Sequence, residues 1–149
     1  MEVFIENDRG SLIKRNYDLD LKLIREDRVL LPYPYPYGFV LGTRTDDGEG
    51  VDCYVITREP LKRGSVVEAE PAGLLVLKED GEEDHKIIAV QKGCSLDQYP
   101  DAVETIRKFI LGIFARHPNV KLSIGDLLSP KAAQDFLAER STGSDKDHG

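Results

Sequence analysis

Cysteine and histidine are scarce, and neither is arranged for chemistry. Cys53 and Cys94 lie far apart with no C-x-x-C spacing, so there is no disulfide framework and no zinc knuckle. His85, His117 and His148 form no H-x-H or H-E-x-x-H pattern, which leaves a histidine-built metal site without support. Long apolar runs are missing too. The longest, Phe109-Ile110-Leu111-Gly112-Ile113-Phe114, is far too short to span a bilayer, so no membrane partner is expected. The opening residues, Met-Glu-Val-Phe-Ile-Glu-Asn-Asp, have no basic stretch and no apolar core behind it. No signal peptide is therefore expected, and the expected location is the cytoplasm with both cysteines reduced. A surplus of positive charge is also absent: 20 Lys+Arg face 27 Asp+Glu, for a formal net charge of −7. Phosphate backbones select basic surfaces, so a nucleic-acid partner is not expected.

What is present suits one soluble domain. The 149 residues are 40% hydrophobic and 32% charged, enough to bury a core without disulfide staples. The placement of the charge says more than its total. Residues 46–52 hold four carboxylates and residues 79–84 hold five, with no base in either segment. Outside them 18 acids face 20 bases, so the whole negative excess sits in two short segments about thirty residues apart.

The first ninety residues read as short strands broken by turns, at 3–5, 21–24, 29–31, 53–56, 65–67, 73–77 and 86–90. This spacing suggests a small antiparallel barrel or sandwich. After Gly93 the period changes. Val103, Ile106, Phe109, Ile110, Ile113 and Phe114 recur at helical spacing between Pro100 and Pro118. A second helix is expected to start with Ser129 as N-cap and Pro130 next, burying Ala133, Phe136 and Leu137. Residues 1–140 read as a single domain and 141–149, polar and Gly/Ser-rich, as a disordered tail.

Three segments are candidates for chemistry. Asp47-x-Glu49-x-x-Asp52 can bring three carboxylates to one end of a sheet, a hard-oxygen set that suits Mg²⁺ or Mn²⁺. Taken alone, such a segment is more often a solvated hairpin turn. The second acidic segment runs into Asp84-His85-Lys86 ahead of an apolar strand. Alternation there puts Asp84 and Lys86 on one face, able to hold a metal and a phosphate oxygen side by side or to form a surface ion pair. In Pro32-Tyr33-Pro34-Tyr35-Pro36-Tyr37-Gly38 three prolines force extended geometry, giving either a rigid edge segment or a mount for Tyr33 and Tyr37.

In order and spacing these blocks resemble the soluble family I inorganic pyrophosphatases. The likeness runs from Val3-Phe4-Ile5-Glu6 through Asp27-Arg28, Tyr33-Pro34 with Tyr37-Gly38, Asp47-Gly48-Glu49-Gly50-Val51-Asp52, and Glu83-Asp84-His85-Lys86 to Val90. The resemblance implies a mainly β fold, an OB-like five-stranded antiparallel barrel with two C-terminal helices. It implies Mg²⁺-dependent cleavage of pyrophosphate into two phosphates, with Mn²⁺ as the alternative metal. It assigns Asp47, Glu49, Asp52, Glu79 and Asp84 to metal, and Lys14, Arg28, Lys86 and Tyr33 to substrate. Glu49, Asp52, Lys14, Arg28 and Tyr37 would act in catalysis, and Glu6 would buttress the site. A homo-oligomer, hexameric as in bacterial members, is also implied.

The chain departs from the family pattern at its periphery. Glu49 and Glu79 stand where the family has Asp, and a one-residue shift would offer Asp80 in place of Glu79. Asn16 stands where the family has Glu, and His117-Pro118 where it has a Tyr-Lys pair that grips the outer phosphate. Three readings follow: a divergent pyrophosphatase, a hydrolase of a larger diphosphate or phosphoanhydride, or a non-catalytic metal- and phosphate-binding barrel. The first is favoured because Asp47, Asp52, Asp84 and the three bases all persist.

Overall fold

The structure, a computed structural model, describes residues 1–142. Its elements run in order as β1 (Glu2–Asn7), β2 (Ile13–Tyr17), β3 (Leu23–Arg28), β4 (Tyr37–Val40), β5 (Val51–Ile56), β6 (Val66–Glu79), β7 (Glu82–Glu83), β8 (Lys86–Gln91), α1 (Ala102–Phe114), β9 (Leu122–Leu128) and α2 (Pro130–Glu139). Five strands close a ring in the order β1-β4-β5-β8-β6, and β6 returns to β1. The expected five-stranded barrel with two C-terminal helices is therefore the observed architecture. It is not wholly antiparallel, because β5 and β8 pair in parallel. Those two strands are buried on both faces, which is why Val51 to Ile56 and Ile87 to Val90 read as near-continuous apolar runs.

Alternate residues of these strands feed two core clusters. Cys53, Val55, Ile87 and Ala89 join Val3, Ile5 and Leu74 in one, against which α2 sets Ala133. Tyr54, Ile56, Ile88 and Val90 join Tyr33, Tyr37 and Leu75 in the other, under Ile106, Phe109 and Ile110 of α1. Each such side chain contributes about 1.5–3 kcal/mol by leaving water. Where β1 crosses β4 the backbones touch so closely that a Cβ on Gly38 would stand 1.7 Å from the Phe4 carbonyl oxygen. No other residue fits there.

Several expected elements differ. The strands expected at 65–67 and 73–77 are one 14-residue strand, β6, whose register shifts between Pro71 and Gly73. The shift accommodates the proline, so the ladder continues past a residue that normally ends one. Residues 29–31 belong to no strand, and Leu21 sits in the β2–β3 turn with φ 63°, so β3 starts only at Leu23. Strands β2, β4 and β9 were not expected. Both helices are found, with Ser129 capping Ala132 N–H at 3.1 Å and Pro130 opening α2. Ala133 is buried as expected, while Phe136 and Leu137 are half-buried. Within the expected tail, Ser141 bridges Thr43 and Thr142 N–H donates to the Gly42 carbonyl. Residues 143–149 lie outside the described residues. Among the described residues no helix is long and apolar enough to cross a membrane, and Cys53 and Cys94 are both free.

The two-stranded β2–β3 sheet lies beside the ring, held by buried polar groups of β1. Asn7 accepts from Arg15 N–H at 2.7 Å and donates to the Arg15 carbonyl at 3.3 Å. The Glu6 carboxyl accepts from Tyr17 N–H at 2.9 Å. This attachment carries Lys14 and Arg28 to the edge of a trench across one end of the barrel.

Candidate active site

The trench is built outward from β5 and β8. Their parallel register sets Cys53 opposite Ile87, so Asp52 and Lys86, one residue earlier on each strand, share a face. Tyr37 joins them from β4, paired to Tyr54. The Lys86 ammonium, 8% exposed, donates to Asp52 at 2.7 Å, to Asp84 at 3.2 Å and to the Tyr37 hydroxyl at 3.1 Å. Burial alone would lower the lysine's pKa, but the Asp52 and Asp84 charges overcome it and drive it well up. Burial pushes the Asp84 carboxyl above its usual value, Lys86 opposes this, and Asp52 adds to it. Two carboxylates thus share one ammonium, and one negative charge is left over. Burial and Asp52 also raise the Tyr37 hydroxyl, which stays protonated. Because its oxygen already accepts from Lys86, its own proton is free to be donated.

The first acidic segment is a tight turn. Thr45 N–H donates to the Glu49 carbonyl at 2.7 Å and Gly48, at φ 87°, closes it back onto Thr45. Asp47 accepts from Glu49 N–H at 3.0 Å and from the Thr45 hydroxyl. Burial opposes ionisation of Asp47, but these bonds win and hold its pKa below the usual value. Burial with the neighbouring Asp47 and Asp52 charges lifts Glu49 above the usual range. Two carboxyls of one turn therefore differ: Asp47 is a firm anion and Glu49 a readier proton acceptor.

The second acidic segment is a two-residue hairpin. Lys78 pairs with Glu83 and Glu79 with Glu82, and the tip residues Asp80 and Gly81 take φ 53° and 84°. That is the Asp-Gly turn whose twist matches the strands. The turn also separates Glu79 from Asp80. The Asp80 carboxylate accepts from Lys121 N–H at 2.8 Å, and Glu79 and Asp80 both line the trench.

A cleft of about 440 Å³ is lined by Lys14, Asn16, Tyr37, Asp47, Glu49, Asp52, the hairpin residues Glu79, Asp80, Glu82 and Glu83, and Asp84 and Lys86. It shares Lys14, Tyr37, Glu79, Asp84 and Lys86 with a second of about 530 Å³ that adds Arg28 and His117. Every carboxylate expected to hold metal, and every expected base, therefore lines one trench. Two expected residues do not line it. Tyr33 lies behind Tyr37, rings stacked at 5.5 Å, and packs on Phe109. Glu6 is buried under the hairpin, its carboxyl raised to about 8 mainly by burial, with the Tyr17 hydrogen bond opposing and Asp52 and Glu49 adding. Pro118 lines neither cleft.

The oxygen-only donor set fits a hard cation. Among the described residues no three metal-binding side chains converge on one point, so the trench is not a closed cage. Mg²⁺ does not require one, since it keeps several waters and takes one or two carboxylates with phosphate oxygens. Mn²⁺ suits the same ligands.

Sequence reasoning missed several contributors. Tyr54 supports Tyr37 with ring centroids 4.6 Å apart, Thr45 fixes Asp47, and Asn7 anchors the hairpin. Arg25 and Asp27 line the outer trench as an ion pair at 2.6 Å. Alternation along β2 and β3, had those strands been recognised, places Lys14, Asn16, Arg25 and Asp27 on one face.

The same fold occurs in known proteins. An inorganic pyrophosphatase from Thermus thermophilus superposes with a TM-score of 0.80 at 30% identity, covering 93% of this chain and 87% of that one. An Anaplasma phagocytophilum inorganic phosphatase superposes at 0.83 with 23% identity over 94% of this chain and 90% of that one, which shows the fold. By sequence, the inorganic pyrophosphatase of Saccharolobus solfataricus is 34% identical over 130 residues, 81% of this chain and 76% of that protein. That of Sulfolobus acidocaldarius is 44% identical over 95 residues, 62% of this chain, and the match spans only 55% of that protein's length. The family model described as inorganic pyrophosphatase matches residues 3–120, and the chain belongs to that family.

Proposed function

We propose that this chain hydrolyses inorganic pyrophosphate to two phosphates, with Mg²⁺ held among Asp47, Glu49, Asp52, Glu79 and Asp84. One observation carries the reading: carboxylates in excess line the same trench as three bases, two of which, Lys14 and Arg28, form no salt bridge among the described residues. A trench with surplus carboxylate and unpaired bases matches a metal–polyanion complex, in which each component neutralises the other's lining. Bound Mg²⁺ supplies charge neutralisation and makes a water acidic near neutral pH. Lys14 and Arg28 bind phosphate oxygens from the hairpin side and Lys86 from the barrel floor. The Tyr37 hydroxyl donates its remaining proton to another. Glu49, with its raised pKa, takes the proton of the attacking water, and Asp47 and Asp52 keep their charge. Glu6 and Tyr33 act from behind, the first by fixing the hairpin and the second by bracing Tyr37. Mn²⁺ is the alternative metal on the same oxygens. The likeness to the family carries with it a cytoplasmic homo-oligomer, a hexamer, which sedimentation of the purified chain tests.

Phosphate release from pyrophosphate is the test of the reaction. Turnover with Mg²⁺ or Mn²⁺ that stops on chelation supports the proposal. Tight metal binding with no phosphate release identifies a binding barrel instead.

A further inference from the structure

The lining of the trench is of two kinds. Lys14, Arg28 and Lys86 line one cleft of it with Glu79 and Asp84. The same cleft is also walled by Val29, Ile113, Phe114 and Val120, each half-buried and so presenting part of its side chain to the cleft. From the last turn of α1 onward, among the described residues, the chain lines this cleft with Ile113, Phe114, His117 and Val120, and with no lysine or arginine. Across the cleft, Arg25 is already paired to Asp27 at 2.6 Å.

Such a wall suits one kind of occupant. A phosphate pressed against valine and isoleucine loses water and gains no partner. An apolar group in the same place leaves water and covers side chains that are otherwise exposed. The cleft of about 530 Å³ falls within the range, about 300–1,000 Å³, that encloses small organic ligands.

We infer that the trench accepts, besides pyrophosphate, a diphosphate monoester with an apolar or aromatic organic group. Its diphosphate lies against Lys14, Arg28 and Lys86, and its organic group against Val29, Ile113, Phe114 and Val120. The inference rests on the pyrophosphatase reading of the same site. Water attacks the terminal phosphorus and the bridging P–O bond breaks. The bridging oxygen leaves with the organic monophosphate, the water oxygen becomes part of the released orthophosphate, and the two protons of water pass to the phosphates or to solvent. No other reactant is consumed.

Chain length in the substrate isolates the apolar contact. The full chain with Mg²⁺ is assayed for orthophosphate release from pyrophosphate, methyl diphosphate and hexyl diphosphate. The expected kcat/KM for hexyl diphosphate exceeds that for methyl diphosphate at least tenfold, with the difference in KM. The double variant Ile113→Asn, Val120→Asn lowers that hexyl-to-methyl ratio at least fivefold. Equal values for the two esters, or release from pyrophosphate alone, overturn the inference and leave the pyrophosphatase reading standing. No release from any of the three overturns both. The chain-length comparison needs no variant, so a misfolded double variant leaves the test intact.

Discussion

The inner and outer ends of the trench hold their charges in opposite ways. At the inner end Lys86 is buried in the barrel wall, bonded to Asp52, Asp84 and Tyr37 before any ligand arrives. At the outer end Lys14 and Arg28 stand exposed on a two-stranded sheet outside the ring, in no salt bridge among the described residues. The inner charges belong to the fold and act by being pre-placed; the outer ones belong to the ligand and cost the fold nothing when removed. A buried pair left half-complete is expensive, whereas an exposed unpaired base contributes almost nothing to stability.

Lys86→Met is the hardest blow to this contrast. It leaves Asp52 and Asp84 facing each other, and kcat/KM is expected to fall on the order of a thousandfold. Stability in chelator should fall by about 2–3 kcal/mol, read by denaturant titration, and Mg²⁺ should restore stability but not activity. Glu6 tests the joint between the two ends. Its folded pKa of about 8 lies above the usual 4.5, so its contribution is fully present below pH 4.5 and is lost as pH rises toward 8. In metal-free protein the loss across that window should be on the order of 5 kcal/mol, and Glu6→Gln should flatten it. Lys14→Ala and Arg28→Ala come next: each should lower kcat/KM by roughly 10- to 100-fold while moving stability by less than about 0.5 kcal/mol. A Lys14→Ala variant as unstable as Lys86→Met would erase the distinction between the ends. The smallest effect belongs to the hairpin tip. Asp80→Asn should change Mg²⁺ affinity less than about twofold, whereas Glu79→Gln should weaken it about tenfold, measured by calorimetry.

Legibility followed the same division. Strands β5 and β8 were readable because burial on both faces turns them into apolar runs. Helices α1 and α2 were readable from period, Pro100, Ser129 and Pro130. Strand β4 hid behind the Pro-Tyr segment, because Pro32 to Pro36 end where Tyr37 enters the sheet. Strand β9 hid between two helices, since Leu122, Ile124 and Leu127 alternate imperfectly around Gly125. Long β6 read as two strands, because a register shift that rescues a proline leaves no local signature. At the site, the carboxylates and bases were legible from motif order. Whether Tyr33 faces substrate or core was not, since alternation in a proline-fixed segment does not say which tyrosine the neighbouring helix covers. The hydrogen bond from Lys121 N–H to Asp80 was not legible either, since Lys121 stands forty-one residues away and beyond any local pattern.

The central claim is that the −7 charge of this chain is a metal requirement concentrated in residues 46–52 and 79–84. Phosphate release from pyrophosphate at saturating Mg²⁺, compared between the natural chain and Asp52→Asn, tests it most directly. The account predicts Mg²⁺-dependent turnover by the natural chain and a loss of at least about a hundredfold in kcat for the variant. An Asp52→Asn protein that hydrolyses pyrophosphate at the natural rate would contradict it.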